Sequence, residues 1–172
     1  LNRISSHMIA LGATAMDIGA VTPFPWALRE REYINDFVEE LCGARLTNNY
    51  IRIGGVKADF PDDFPARVKQ AFARTRQLIA DVDKLLSRNR IFVDRLRGTG
   101  VISAEDAIDW GWTGPCLRST GVDLDLRKDE PYLIYDQVDF DVPVGEHGDN
   151  FDRYLVRMEE MHQSMRIVEQ CL

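Results

Sequence analysis

The chain has 172 residues and a net charge of −7 from 21 Lys+Arg against 28 Asp+Glu, and 45% of it is hydrophobic. That profile describes one ordinary soluble globular domain. At this length roughly 70% of the unfolded surface is buried on folding, so neither disulfides nor a structural metal is required for a core. Cys42, Cys116 and Cys171 are too scattered for a disulfide framework or a CxxC ligand pair, and they point to a reduced compartment.

The first segment carries Ile4, Met8, Leu11, Ala15 and Ile18 on one helical face, predicting a helix near 2–20. Ile9, Ala10, Ala13, Met16 and Ala20 make the other face hardly less apolar, so this helix is expected to be enclosed by protein. Pro23 and Pro25 cut it short of the roughly 20 residues of a bilayer span. Thr22 before Pro23 reads as an N-cap for a helix over 23–42, with Leu28, Ile34, Phe37, Val38 and Leu41 inward and Gly43 as its stop. Tyr50, Ile51 and Ile53 before Gly54-Gly55 suggest an irregular strand and turn.

A stripe from Val68 through Phe72, Thr75, Ile79, Val82 and Leu86 to Leu96 predicts a long helix over 64–97, with a break near Ser87–Asn89. Ser103-Ala-Glu-Asp106 reads as a capping box, followed by an open turn at Gly111–Pro115. Residues 121–150 read as loop with extended pieces around Tyr132–Tyr135 and Val138–Val144. A last helix over 150–172 is capped by Asp149 or Asn150 and turns Tyr154, Met158, Met161, Met165, Val168 and Leu172 inward. These elements predict a mainly α fold, an antiparallel bundle of about four helices with small β excursions, in a single domain spanning 1–172.

Residues 121–152 hold ten acids and two bases, which leaves 18 acids and 19 bases elsewhere. The acidity is therefore a local excursion, read as a solvated or partner-facing loop. No Lys/Arg cluster has the density that nucleic-acid binding requires. Gly98-Thr-Gly100 follows a helix where a nucleotide loop would follow a strand, and His7, His147 and His162 lack metal-ligand spacing. Asp123-Leu-Asp125 and Asp139-Phe-Asp141 carry Arg127 and Pro143 where a calcium loop needs an oxygen ligand.

Asp17 stands out as the one charge between Met8 and Leu28. Its carboxylate is expected to be buried, and so either ion-paired to an arginine or turned toward a polar cavity as a proton-handling group. His7, Thr14 and Asp17 fall along one stripe of the same helix.

The blocks LNRISSHMIALGATAMDIGAVTPFPWALRERE, GARLTNNYIRIGGV, GPCLRSTGVDLDLRKDEPY, VDFDVPVGEHGD and YLVRMEEMHQSMRIVEQ resemble, in order, the middle of the D-subunit family of NADH-quinone oxidoreductase, respiratory complex I. The resemblance implies a core like that of nickel-iron hydrogenase large subunits. It also implies a peripheral protein at the cytoplasmic face of the inner membrane, assembled with the B subunit and other peripheral-arm and membrane-arm subunits of complex I. By this resemblance Asp17 is a catalytic carboxylate of a quinone-reducing site, with His7 and Thr14 in its vicinity, and Arg45 and Thr47 face a 4Fe-4S cluster held by the neighbouring protein. Quinone is the substrate, and the chain itself binds no cofactor.

At Thr47 the sequence departs from many relatives, which carry a redox-linked histidine there. The chain, which begins in mid-helix pattern, reads as a fragment that is inactive alone. Two other readings are a large subunit of a membrane-bound hydrogenase or formate-hydrogenlyase-type complex, and a non-catalytic scaffold whose acidic loop docks a partner.

Overall fold

A computed structural model describes residues 1–172. The elements follow in the order α1 (Asn2–Asp17), α2 (Pro23–Cys42), β1 (Ile51–Arg52), β2 (Gly55–Val56), α3 (Phe64–Leu86), α4 (Arg90–Leu96), α5 (Ala104–Asp109), α6 (Gly114–Arg118), α7 (Leu126–Asp129) and α8 (Asn150–Cys171). The chain is mainly α, as its periodicities predict, and its only sheet is an antiparallel ribbon pairing Ile51 with Val56 and Arg52 with Gly55. Two compact units are present, Leu1–Asp81 with Leu172 and Val82–Cys171, so the boundary falls inside α3. No helix is long and apolar enough to cross a membrane.

The first unit is built on the pairing of α1 with α2. Ile4, Met8, Leu11 and Ala15 of α1 are buried against the chain, as are Ala27, Ile34, Phe37 and Val38 of α2. The two helices run antiparallel: Ser5 donates its hydroxyl to Asn35 Oδ1 (3.1 Å) near one end, and Gly12 meets Phe24 near the other. A Cβ at position 12 would stand 3.0 Å from the Phe24 Cα, so glycine is what lets the backbones approach this closely.

Burial of α1 is one-sided, which corrects the expectation of an enclosed helix. Ile9, Ala10 and Ala13 are half-buried and Met16 is exposed, because α2 alone covers only one stripe. The helix also stops at Asp17. Gly19 takes a φ of 96°, and the Gly19 and Ala20 N–H groups return to the carbonyls of Met16 (3.0 Å) and Ala15 (2.7 Å), the closure of a Schellman motif. Thr22 occupies the N-cap position of α2, yet its hydroxyl accepts no capping bond; it has helical rather than extended backbone angles, which aim the side chain away.

Val68, Phe72, Thr75 and Ile79 of α3 are buried as their spacing predicts. The helix breaks at Ser87–Asn89, where the Asn89 side chain accepts from the Ile91 and Phe92 N–H groups and starts α4.

In the second unit α8 is the organising helix, with Tyr154, Met158, Met161 and Met165 buried. Asp149 caps it by accepting from the Asp152 N–H (2.8 Å), and its other oxygen accepts from the Gly98 N–H (2.8 Å), which ties the end of α4 to the start of α8. Ser103 caps α5 by accepting from the Asp106 N–H (3.0 Å), as its capping box predicts.

Two expectations for this unit are corrected, and a third is refined. The stretch after Gly111 is not only an open turn, because Pro115 opens a short helix, α6. Tyr132–Tyr135 is a turn, closed by the Tyr135 N–H on the Tyr132 carbonyl (3.2 Å), rather than an extended piece. Residues 138–144 have the period-two burial of a strand, with Val138 and Phe140 inward, but pair with no strand. Gln170 and Gln163 of α8 take up the Asp139 and Asp141 N–H groups at 2.9 and 3.0 Å instead.

Candidate functional site

Asp17 is the last residue of α1 and is exposed, which overturns the expectation of a buried carboxylate. The early end of the helix, set by Gly19, carries the side chain past the stripe that α2 covers. No hydrogen bond or ion pair of this chain engages the carboxylate. No basic residue lies in the last turn of α1, so an anion sits at the negative end of the helix dipole, a placement that costs about 0.3–1 kcal/mol. Exposed Met16 and Val21 flank it. Thr14 lies one turn earlier and is half-buried. His7 is buried and engaged by the chain, about 15 Å further along the axis at 1.5 Å per residue.

Arg45 and Thr47 follow α2. Arg45 donates to three carboxylates of that helix: Nη2 to Glu32 (2.6 Å), and Nη1 to Asp36 and to Glu39 (2.7 Å each). The bonds to Asp36, Glu39 and Glu32 hold the guanidinium pKa further above its ordinary value. Glu32, Asp36 and Glu39 follow at steps of four and three, so α2 presents one acidic stripe that a single arginine neutralises in part. Thr47 is exposed. Arg45 also lines a recess of about 220 Å³ with Ser5, Arg31 and Asn35 at the opposite end of the α1–α2 pair from Asp17.

The five residues singled out in the sequence therefore do not share one pocket. Asp17 and Thr14 occupy one end of the helical pair, Arg45 and Thr47 follow its other end, and His7 is buried in α1. No three His, Cys, Asp or Glu side chains converge as a metal set, and Cys42, Cys116 and Cys171 are free thiols.

Sequence reasoning missed the buried ion pairs of the second unit. Arg118 of α6 donates Nε to Glu160 Oε1 of α8 at 3.0 Å, with a second contact through Nη2, and donates Nη1 to the Leu124 carbonyl (2.8 Å). Asp125 and Arg127 form a second buried pair at 2.6 and 2.9 Å. Burial alone would raise the Asp125 pKa, but the Arg127 side chain and backbone outweigh it and hold the carboxylate below its usual range. Asp152 likewise accepts from the Glu146 and His147 N–H groups at 2.7 and 2.6 Å, and its pKa is lowered despite burial.

Asp139 and Asp141 both pair with Arg166. Asp125, Asp139 and Asp141 thus answer to arginines of the chain, while Asp139 and Asp141 remain largely exposed, as expected of a solvated excursion. The available signal was Glu160 itself, a charge set between inward Met158 and Met161 on α8.

The fold is mainly α, and the candidate residues divide between the two ends of one antiparallel helical pair. Residues 17–172 match the family described as "Respiratory-chain NADH dehydrogenase, 49 Kd subunit", and the chain belongs to that family. It is 56% identical over 177 residues to the NADH-quinone oxidoreductase D subunit 2 of Sorangium cellulosum (strain So ce56), covering 100% of this chain and 46% of that protein. It is 52% identical to the NADH-quinone oxidoreductase D subunit of Myxococcus xanthus (strain DK1622), covering 100% of this chain and 41% of that protein. The corresponding protein of Bacillus anthracis is also 52% identical, with 100% of this chain and 47% of that protein covered. The chain thus spans somewhat less than half the length of these relatives.

Proposed function

We propose that this segment contributes to the quinone-reducing site of a proton-pumping NADH:quinone oxidoreductase. Family membership and the names of the relatives support the complex. The observation that carries the reading is Asp17. A carboxylate that is unpaired, exposed beside Met16 and Val21, and placed where the helix dipole opposes it has no stabilising role within this chain. Its position suits a group that works on something outside the chain.

Quinone reduction takes up two electrons and two protons per quinol formed. Asp17 would hold or resupply a proton for a partner group at the site, and Thr14 would offer a hydroxyl one turn away. His7 would hold this stretch of α1 in place from inside the chain. Electrons would come from a 4Fe-4S cluster held by the neighbouring B subunit, on the side of Arg45 and Thr47, with the other peripheral-arm and membrane-arm subunits completing the assembly at the cytoplasmic face of the inner membrane. The split of the candidate residues between two ends of the α1–α2 pair agrees with one end serving the quinone and the other the electron donor. The segment alone would be inactive.

The test is Asp17→Asn in the full complex. Assembly is expected to be intact, because the carboxylate supports no contact within the chain, while quinone reductase activity falls by about 10²-fold or more, the scale of a lost proton-transfer group. Wild-type turnover in that variant would overturn the reading.

A further inference from the structure

Leu133 is the one residue other than glycine with a positive φ, 54°, and it is also 80% exposed. A leucine in the left-handed region is strained, because its Cβ crowds the following carbonyl. Its neighbours Tyr132 and Ile134 are 52% and 48% exposed, so three consecutive large apolar side chains face solvent. Such a run is unfavourable in a free surface and is found where another surface covers it.

The turn is held firmly from below. The Tyr135 ring packs edge-on against Tyr132 (4.9 Å) and Phe140 (6.3 Å), and Tyr135 and Val142 pack on the cluster of Val138, Phe140 and Ile167. The base of the turn is thus anchored in the second unit while its tip, Tyr132-Leu133-Ile134, stands out. Glu130 and Asp136 flank the tip, both are exposed, no ion pair engages either, and no base lies between them.

We infer that the turn 130–136 is a docking knob for another protein of the assembly, and that its partner offers an apolar socket rimmed by Lys or Arg. Charge complementarity selects this occupant. Two carboxylates astride three apolar side chains repel an anionic membrane surface, and they repel a second copy of the same acidic turn. A socket with a basic rim satisfies both carboxylates and removes the apolar tip from water. The strained φ of Leu133 projects the tip, in keeping with strain that concentrates at binding segments. This inference uses the surface alone and does not depend on the reading of Asp17.

The test uses cells that carry the full-length chain. A photoreactive phenylalanine analogue replaces Leu133, and the assembled complex is purified before irradiation. The expected crosslink falls on one other protein of the complex, in a peptide that combines apolar residues with Lys or Arg. Leu133→Gly suits the φ of 54° while deleting the side chain, so it is expected to keep the fold but reduce the recovered complex roughly tenfold, with turnover per assembled complex unchanged.

The surface pair Glu130→Lys with Asp136→Lys is expected to reduce assembly comparably, and Glu130→Gln with Asp136→Asn less. Crosslinking to lipid, to another segment of the same full-length chain or to a second copy of it overturns the inference. So does wild-type assembly of both the glycine and the charge-reversal variants. Because Asp17→Asn is read by turnover in an intact complex, a failure here is distinct from a failure there.

Discussion

Arg118 and Glu160 form an ion pair closed to water, with side-chain exposures of 4% and 1%, joining α6 to α8 across 42 residues of sequence. The Arg118 carbonyl also accepts from the Gly145 N–H (2.8 Å), so one residue holds the chain on both sides of the acidic excursion to the second unit. Replacing only Glu160, as in Glu160→Ala, leaves a buried guanidinium and is expected to cost about 3–5 kcal/mol. The double change Arg118→Met with Glu160→Leu is expected to cost much less. Urea denaturation of the two variants compares them directly, and equal losses would argue against a true buried pair.

Asp125 and Asp152 have pKa values lowered from the ordinary 3.8, so each binds fewer protons folded than unfolded near that pH. Their stabilisation is complete above 3.8 and drains away as pH falls through the lower folded values. The urea midpoint is therefore expected to hold down to about pH 4 and to fall as the pH drops below 3.8. Asp152→Asn is expected to flatten that fall while lowering the midpoint at neutral pH, where it weakens the bonds from the Glu146 and His147 N–H groups.

Burial raises the pKa of Tyr154 to about 12, against an ordinary 10, although its bond with Ser87 (2.9 Å) works the other way. Phenolate absorbance on alkaline titration is expected to show a late component that is absent in Tyr154→Phe. Stability from this group is full below pH 10 and is lost as pH rises toward 12. Losing the Ser87 bond in that variant is expected to cost about 1 kcal/mol.

Gly12→Ala sets a helix-propensity gain of up to ~1 kcal/mol against a Cβ that meets the Phe24 backbone at 3.0 Å and its ring at 3.1 Å. Overpacking of this kind costs about 1–3 kcal/mol, so the balance is expected to be destabilising. Thermal unfolding checks the sign.

The resemblance sets Thr47 where many relatives carry a redox-linked histidine, and the proposed function puts it on the electron-donor side. On that proposal, Thr47→His in the full complex is expected to steepen the pH dependence of the midpoint potential of the cluster proposed to donate electrons. Identical slopes for the two proteins between pH 6 and pH 8 would remove Thr47 from the electron-donor side.

Helix placement was largely legible in the sequence, because apolar spacing and local caps carry it. The break at Asn89, the Ser103 cap, the Gly43 stop and the Met158–Met161–Met165 stripe all follow from residues within a few positions of one another. The capping threonine failed for a reason spacing cannot reveal, since Thr22 has the right side chain and the wrong backbone angles.

Candidate residues were legible as types and not as surroundings. Asp17 is conspicuous in any reading of α1, but whether it is buried depends on how much of the helix α2 covers and where Gly19 ends it, both consequences of packing. The charge of the acidic excursion divided in the same way. Sequence alone determined its net value and its bounds, because those are sums over residues. Only the tertiary structure decided that Asp125, Asp139 and Asp141 answer to arginines inside the chain while Glu130 and Asp136 are left facing out around Leu133, because pairing depends on distance in space.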